Sequence, residues 1–221
     1  MYYVSTRNKE DRRTAAEAIA QGLAVDGGLM TPEVFPKLSH NALDTMRDMS
    51  YQQRAVYVMK PFLDDFTVSE LTAYAKRAYG DNKFDVKDVA PVRQVDDTTY
   101  CLELWHGPTC AFKDMALQML PQLLSAALRK TGESKTVCIL VATSGDTGKA
   151  AMEGFADVPQ TKILVFYPKD GVSKVQETQM VTQDGANVGV CAVEGNFDDA
   201  QAGVKRIFSD EADRKSTRLN S

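Results

Sequence analysis

Three short runs of nearly continuous apolar residues mark the second half of this 221-residue chain: "TVCILVAT", "KILVFY" and "NVGVCAV". Each has strand length and no polar face, so each predicts a strand covered on both sides, as in a parallel sheet. Helix starts alternate with them. "DTGKAAMEGFA" follows the first run and "SKVQETQMV" the second, with Ser173 and Gln176 at capping-box spacing. "DDAQAGVKRIF" follows the third. Strand and helix in strict alternation mean parallel βαβ units with helices on both faces, which is an α/β fold.

The first ninety residues read differently. A helical pattern runs from about Arg12 to Leu23 and stops at "DGGL", a turn signal. "TPEVFPKL" is a loop, a second helical pattern spans about Tyr51 to Leu63, and a third opens at Thr67 with Glu70 completing a capping box. "VRQV" and "TYCLEL" read as short strands, and Met115 to Leu128 is apolar at helical spacing. The expected organisation is a mainly helical lobe over 1–90, an α/β domain over 91–212 and a tail over 213–221.

Apolar residues make up 43% and charged residues 25%, ordinary for a globular protein, and the net charge of −4 argues against nucleic acid or an anionic membrane as partner. The N-terminus has no apolar core of a secretory signal, and no run reaches membrane-spanning length, so a cytoplasmic protein is expected. Cys101, Cys110, Cys138 and Cys191 form no C-x-x-C pair, and with only two histidines a metal site is not expected. The cysteines are expected to be buried, reduced thiols.

Three stretches carry chemistry. In "HGPTCAFKDMALQ", Lys113 stands at the mouth of an apolar helical run, where the helix dipole disfavours a cation. Held between Phe112 and that helix it would lose solvation, the condition under which a lysine amine attacks a carbonyl; a solvated lysine in a first turn is the simpler alternative. In "LVATSGDTGKAA", Ser144, Gly145, Asp146, Thr147 and Gly148 lie between a buried strand and a helix, at the carboxyl end where open α/β sheets bind ligands. Backbone N–H groups and hydroxyls there suit a carboxylate or phosphate. A plain helix capped by Asp146 or Thr147 would look similar. "VEGNFDDAQ" repeats the strand–loop–helix pattern and reads as a loop with Asp198 or Asp199 as cap. Neither G-x-G-x-x-G nor the G-K-[ST] of a P-loop is present, which argues against a nucleotide-binding module.

Taken in order, "STRN", "AIAQGLAVDGGLMTP", "ELWHGPTCAFKDMALQ", "LVATSGDTGKAA" and "VEGNFDDAQ" resemble the threonine synthases, from Ser5 to Gln201. The resemblance implies a tryptophan synthase beta-like fold dependent on pyridoxal 5′-phosphate (PLP). It makes Lys113 the lysine that holds PLP as an internal aldimine and the catalytic group that moves protons on the substrate. It assigns Ser144, Gly145, Asp146 and Thr147 to the loop facing the cofactor and the substrate carboxylate. The implied reaction is that of a carbon–oxygen lyase, in which O-phospho-L-homoserine and water give L-threonine and phosphate, the last step of threonine biosynthesis. Trp105 and Cys110 depart from the expected pattern. The family chain is about twice as long, as for a two-domain enzyme, so the resemblance covers its N-terminal half. The Gly-rich loop for the cofactor phosphate and the group facing the pyridine nitrogen are expected in the other half, and this chain alone is expected to be a weak or inactive catalyst. Related readings are another PLP enzyme of this fold, such as a serine/threonine dehydratase, and a non-catalytic threonine synthase-like protein. Oligomeric state is left open.

Asp213 to Ser221 fits none of this. It can be encoded by GATCGGAAGAGCACACGTCTGAACTCC, which resembles a sequencing-library adapter, so the tail reads as non-native; a polar helix end is the alternative. Resequencing the genomic locus is expected to show a different continuation after about Ala212, and an in-frame match to all of Asp213–Ser221 overturns that reading.

Overall fold

Hydroxyl caps set the helices of the N-terminal lobe. In the computed structural model, which describes residues 1–80, 82–209 and 219–220, helix α1 (Ala15–Gln21) starts at Thr14 and α2 (His40–Arg47) at Ser39. Helix α3 (Tyr51–Met59) starts at Ser50 and α4 (Val68–Ala78) at Thr67. Each cap side chain accepts a backbone N–H from the first turn, which satisfies a donor with no partner inside its helix. The Thr67–Glu70 box is as expected; Thr14–Glu17 and Ser50–Gln53 form two more. The lobe also holds a small antiparallel sheet, with β1 (Tyr3–Ser5) between β2 (Arg12–Arg13) and β3 (Met30–Pro32). The expected helix from Arg12 is therefore shorter at its start, because Arg12 and Arg13 pair with β1.

Strands β4 (Val92–Gln94) and β5 (Tyr100–Leu102) form an antiparallel hairpin at the two positions expected of short strands. The apolar run after it is not one helix. It divides into α5 (Asp114–Leu117) and α6 (Leu120–Lys130). Pro121 lies in the first turn of α6, and its missing N–H leaves the Leu117 carbonyl without the i+4 donor that would continue the helix.

The main sheet follows. β6 (Val137–Ala142), β7 (Thr161–Pro168) and β8 (Val188–Val193) are parallel neighbours, with Ile139 beside Ile163 and Ile163 beside Val188. The helices between and after them are α7 (Asp146–Phe155), α8 (Lys174–Val181) and α9 (Phe197–Ser209). Leu219–Asn220 adds a two-residue strand, β9, parallel to β6, giving the order β8-β7-β6-β9. β6 and β7 are well buried, as their apolar runs require. β8 is not, because it lies at the sheet edge, and Cys191 and Ala192 on it are exposed. The expectation of buried thiols fails: Cys191 is exposed on this account and Cys110 in a turn, Cys101 and Cys138 are only partly buried, and none of the four is in a disulfide. The reading of residues 213–221 as non-native lies outside the described residues, except at Leu219 and Asn220. No described helix is long and apolar enough to cross a membrane.

One continuous buried cluster links lobe and sheet. It runs from Ala15 and Ala16 of α1 and Leu71, Tyr74 and Ala75 of α4, through Leu124, Ala127 and Leu128 of α6, to Val137, Ile163 and Val165. Met152 and Phe155 of α7 join it. At Gly154 the backbone of α7 meets α5 so closely that an added Cβ would stand 2.1 Å from the Leu117 carbonyl oxygen. That oxygen is the one Pro121 leaves unbonded in the helix.

Alanine in a helix is ordinarily worth about 1 kcal/mol over glycine. Gly154→Ala is expected to reverse that sign and destabilise by about 1–3 kcal/mol through overpacking, read as a lower urea midpoint.

Candidate active site

The turn before α5 is built around one buried carboxylate. Asp114 is fully buried, accepting the Thr109 backbone N–H at 2.9 Å on one oxygen and the Thr109 hydroxyl at 2.8 Å on the other. Gly107 packs directly on it, and a Cβ there would lie 2.5 Å from Oδ2. The Cys110 N–H returns to the Gly107 carbonyl at 3.1 Å, and Cys110 itself takes φ +57°, a left-handed conformation costly for any residue with a Cβ. Turn and helix start are thereby locked together, with Lys113 at the junction.

Lys113 is the N-cap residue of α5, and its carbonyl accepts the first helical bond, from the Leu117 N–H at 2.9 Å. Its side chain is half-buried, with Nζ 4.0 Å from the centroid of the exposed Phe112 ring. The aromatic face, rather than the apolar helix, is thus its contact. Among the described residues its ammonium has no carboxylate partner and no hydrogen bond. That leaves the amine available for covalent chemistry.

At the carboxyl end of β6 the buried Thr143 hydroxyl organises the second turn. Its Oγ1 donates to the Gly145 carbonyl and accepts the N–H groups of Gly145 and Gly148, each at 3.0 Å. Gly145 is the N-cap of α7 at φ +152°, a conformation that favours glycine, and the Gln176 amide lies 2.5 Å from where a Cβ would stand. Gln176 closes a capping box with Ser173 at the start of α8 and donates from Nε2 to Asp146 at 2.6 Å. No side chain caps α7. The alternative of a helix capped by Asp146 or Thr147 is not realised: Gly145 is the N-cap, and the Asp146 carboxylate turns to Gln176.

The predicted loop residues therefore differ in what they offer. The Gly145 N–H and the Asp146 carboxylate already have partners. The Ser144 hydroxyl is exposed and the Thr147 hydroxyl half-buried, and neither has a partner among the described residues; the same holds for the backbone N–H groups of Ser144, Asp146 and Thr147. Hydroxyls and amides at a helix N-terminus, with no capping side chain in the way, can hold an anion. α5 packs on α7, which joins the element carrying Lys113 to the one carrying this turn. After β8, Asn196 and Asp199 cap one another across the start of α9, with Asp199 as partner of the cap rather than the cap itself.

Some contacts escaped the sequence reading. Asp114 carries no signal of its own until the fold puts it beside Gly107, and the capping-box spacing that marks Gln176 does not show that it also meets Asp146. In the lobe, Ser5 donates to both oxygens of Asp26 at 2.8 and 2.9 Å, and Arg7 donates to the Asp26 carbonyl at 3.0 Å. The Gly28 N–H is the main cause holding the Asp26 carboxyl below its ordinary range, with the Ser5 hydroxyl next. The "STR" and "DGGL" segments, far apart in sequence, are thus one hydrogen-bonded unit.

The class of protein follows from this geometry: an α/β protein with open turns at the carboxyl edge of a parallel sheet and an unpaired lysine on a rigid turn. Comparison with known proteins narrows it. Residues 2–79 match the family described as threonine synthase N terminus. The threonine synthase of Pseudomonas aeruginosa is 41% identical over 220 residues, covering 99% of this chain and 46% of that protein. PLP-bound threonine synthase from Brucella melitensis superposes with a TM-score of 0.90 at 37% identity, covering 100% of this chain and 47% of that one. Yeast threonine synthase superposes at 0.87 and 35% identity, covering 99% of this chain and 45% of that one. Along its whole length the chain is similar to threonine synthases, and it spans about half the length of the relatives it matches.

Two substitutions test the turn. Asp114→Ala leaves the Thr109 donors unsatisfied in the interior and is expected to destabilise by about 2–3 kcal/mol in urea unfolding. Cys110→Gly removes a left-handed strain and is expected to stabilise by about 0.5–1 kcal/mol after the glycine entropy cost, whereas Cys110→Val destabilises.

Proposed function

We propose that this chain is the N-terminal part of a threonine synthase and forms PLP- and substrate-binding parts of its active site. The observation that carries the reading is Lys113. Its amine has no carboxylate partner and no hydrogen bond among the described residues, on a turn made rigid by a buried carboxylate, in a chain similar end to end to threonine synthases. The residues present fit the cofactor: an amine free to bond an aldehyde carbon, and an uncapped turn rich in N–H and hydroxyl groups. When bound, PLP supplies an electron sink for negative charge developing on substrate carbon.

The substrate we propose is O-phospho-L-homoserine, converted with water to L-threonine and phosphate. Lys113 is the residue that would hold the cofactor, and its amine would take and return protons at substrate carbons. The Ser144 and Thr147 hydroxyls, with the free N–H groups of their turn, hold the substrate carboxylate. Gly145 lets the backbone approach closely. Gln176 keeps the Asp146 carboxylate turned aside, so that two anions do not face one another. Asp114 touches neither substrate nor cofactor; it positions Lys113.

The test is borohydride trapping of PLP on the purified chain, followed by peptide mass spectrometry. The expected result is an imine absorption band and a modified lysine at Lys113. Label scattered over surface lysines when the same test is made on the full-length protein overturns the assignment. In the full-length protein, Lys113→Ala is expected to abolish phosphate release from O-phospho-L-homoserine, a loss of at least about 1000-fold for removal of a covalent catalyst. Turnover of L-threonine instead of O-phospho-L-homoserine by the unaltered protein overturns the substrate assignment in favour of a dehydratase.

A further inference from the structure

Resting on the assignment of Lys113 above, we propose that His106 is a positioning residue for that lysine, its doubly hydrogen-bonded ring holding the Gly107–Asp114 turn in place. His106 lies between two carboxylates. Nδ1 is 2.7 Å from Asp85 Oδ1 and Nε2 is 2.8 Å from Glu103 Oε2, on opposite sides of the ring. A neutral imidazole has one N–H and can donate to only one of them; the imidazolium donates to both. The ring is largely buried, with 12% of its side chain exposed, and so is Glu103 at 17%, whereas Asp85 is 74% exposed. Arg93 on β4 also faces the cluster, 3.7 Å from the other Glu103 oxygen. The Trp105 ring stands 5.6 Å from the imidazole.

The contacts continue toward the lysine. The His106 carbonyl accepts the Asp85 N–H at 3.1 Å, so the residue is tied to the 80–91 segment by backbone as well as by ring. Gly107, the next residue, lies against the Asp114 carboxylate, and Asp114 holds Thr109 and adjoins Lys113. A ring that swings at His106 moves Gly107, and no side chain at Gly107 cushions Asp114 from that movement. The clamp thus acts on Lys113 through packed backbone, without touching the amine.

The protonated form is the holding form. The hydrogen bond to Glu103 is the largest cause raising the His106 pKa, burial opposes it, and the hydrogen bond to Asp85 and the two negative charges raise it further. A folded pKa above the unfolded value of about 6.5 means the stabilisation is fully present below that value and is lost as pH rises through the folded one. On deprotonation the remaining N–H stays with Glu103, since orphaning the more buried carboxylate costs more. The Asp85 side of the clamp then opens, and the turn loosens on the alkaline side.

The test uses the wild-type chain first, so it needs no variant to fold. Trp105 is the only tryptophan, and a neighbouring imidazolium quenches an indole. Emission is expected to rise in one step with pH, at a midpoint above about 6.5. In parallel, PLP is trapped by borohydride at each pH, and Lys113 is scored as its share of all labelled lysines. That share is expected to fall about fivefold over the same step, the worth of one hydrogen bond. Glu103→Gln is expected to lower both midpoints together, which a merely structural histidine would not do. His106→Gln is expected to remove the Trp105 step and leave Lys113 labelling low and flat with pH. A Trp105 step with pH-independent Lys113 labelling overturns the positioning role and leaves the cofactor assignment standing. No Trp105 step at all overturns the clamp, whatever Lys113 does. Absence of Lys113 label at every pH overturns the cofactor assignment and this inference with it.

Discussion

The arrangement around Lys113 depends on one fully buried carboxylate. Asp114 has no water to solvate it, so its charge is satisfied by the Thr109 N–H and hydroxyl, and the close approach of Gly107 seals it. Those contacts fold eight residues into a turn with a single geometry. Cys110 is forced into a left-handed conformation inside it, which shows that the turn overrides local preference. A lysine placed on such an element keeps its position while its side chain stays unpaired, and a covalent cofactor lysine needs both properties.

The same logic recurs at the other turn. There a neutral hydroxyl, Thr143, takes the organising part, satisfying both Gly145 and Gly148. Gly145 is glycine because its φ of +152° is a backbone conformation that residues with a Cβ rarely adopt. The two turns are connected through the α5–α7 contact, where Gly154 of α7 meets the carbonyl that Pro121 leaves unbonded. A proline that interrupts a helix thus allows the close packing of the elements bearing the candidate site. The core running through α6 makes the helical lobe and the sheet one packed body, so the Ser5–Asp26 unit and the two turns share a rigid frame.

The parallel strands, the Thr67 and Ser173 caps and the lysine turn were legible because each is encoded by adjacent residues. Uninterrupted apolar runs predict β6 and β7 whatever surrounds them, and a hydroxyl three residues before Glu or Gln predicts a helix start. β8 misled for a physical reason. "NVGVCAV" is as apolar as a central strand, yet its exposure depends on what lies beside it, and in this chain it is an edge. The division of α5 from α6 was written in Pro121 but concealed by apolar spacing that continues across it. The antiparallel β1–β3 sheet was illegible, since its strands of two or three residues carry no periodicity.

Sequence by itself determined the α/β class and the Thr67 and Ser173 caps, which follow from short-range periodicity and residue spacing. That Lys113, Ser144, Gly145, Asp146 and Thr147 serve PLP is what the resemblance to the threonine synthases implies, and their local chemistry is compatible with it. Tertiary structure decided which of those groups are free to act. It turned Asp146 toward Gln176, left the Ser144 and Thr147 hydroxyls without partners among the described residues, moved Lys113 onto the face of Phe112 and enclosed His106 between Asp85 and Glu103. Hydrogen-bond partners are assigned by spatial proximity between segments as much as thirty residues apart, and no local pattern in the chain encodes that proximity.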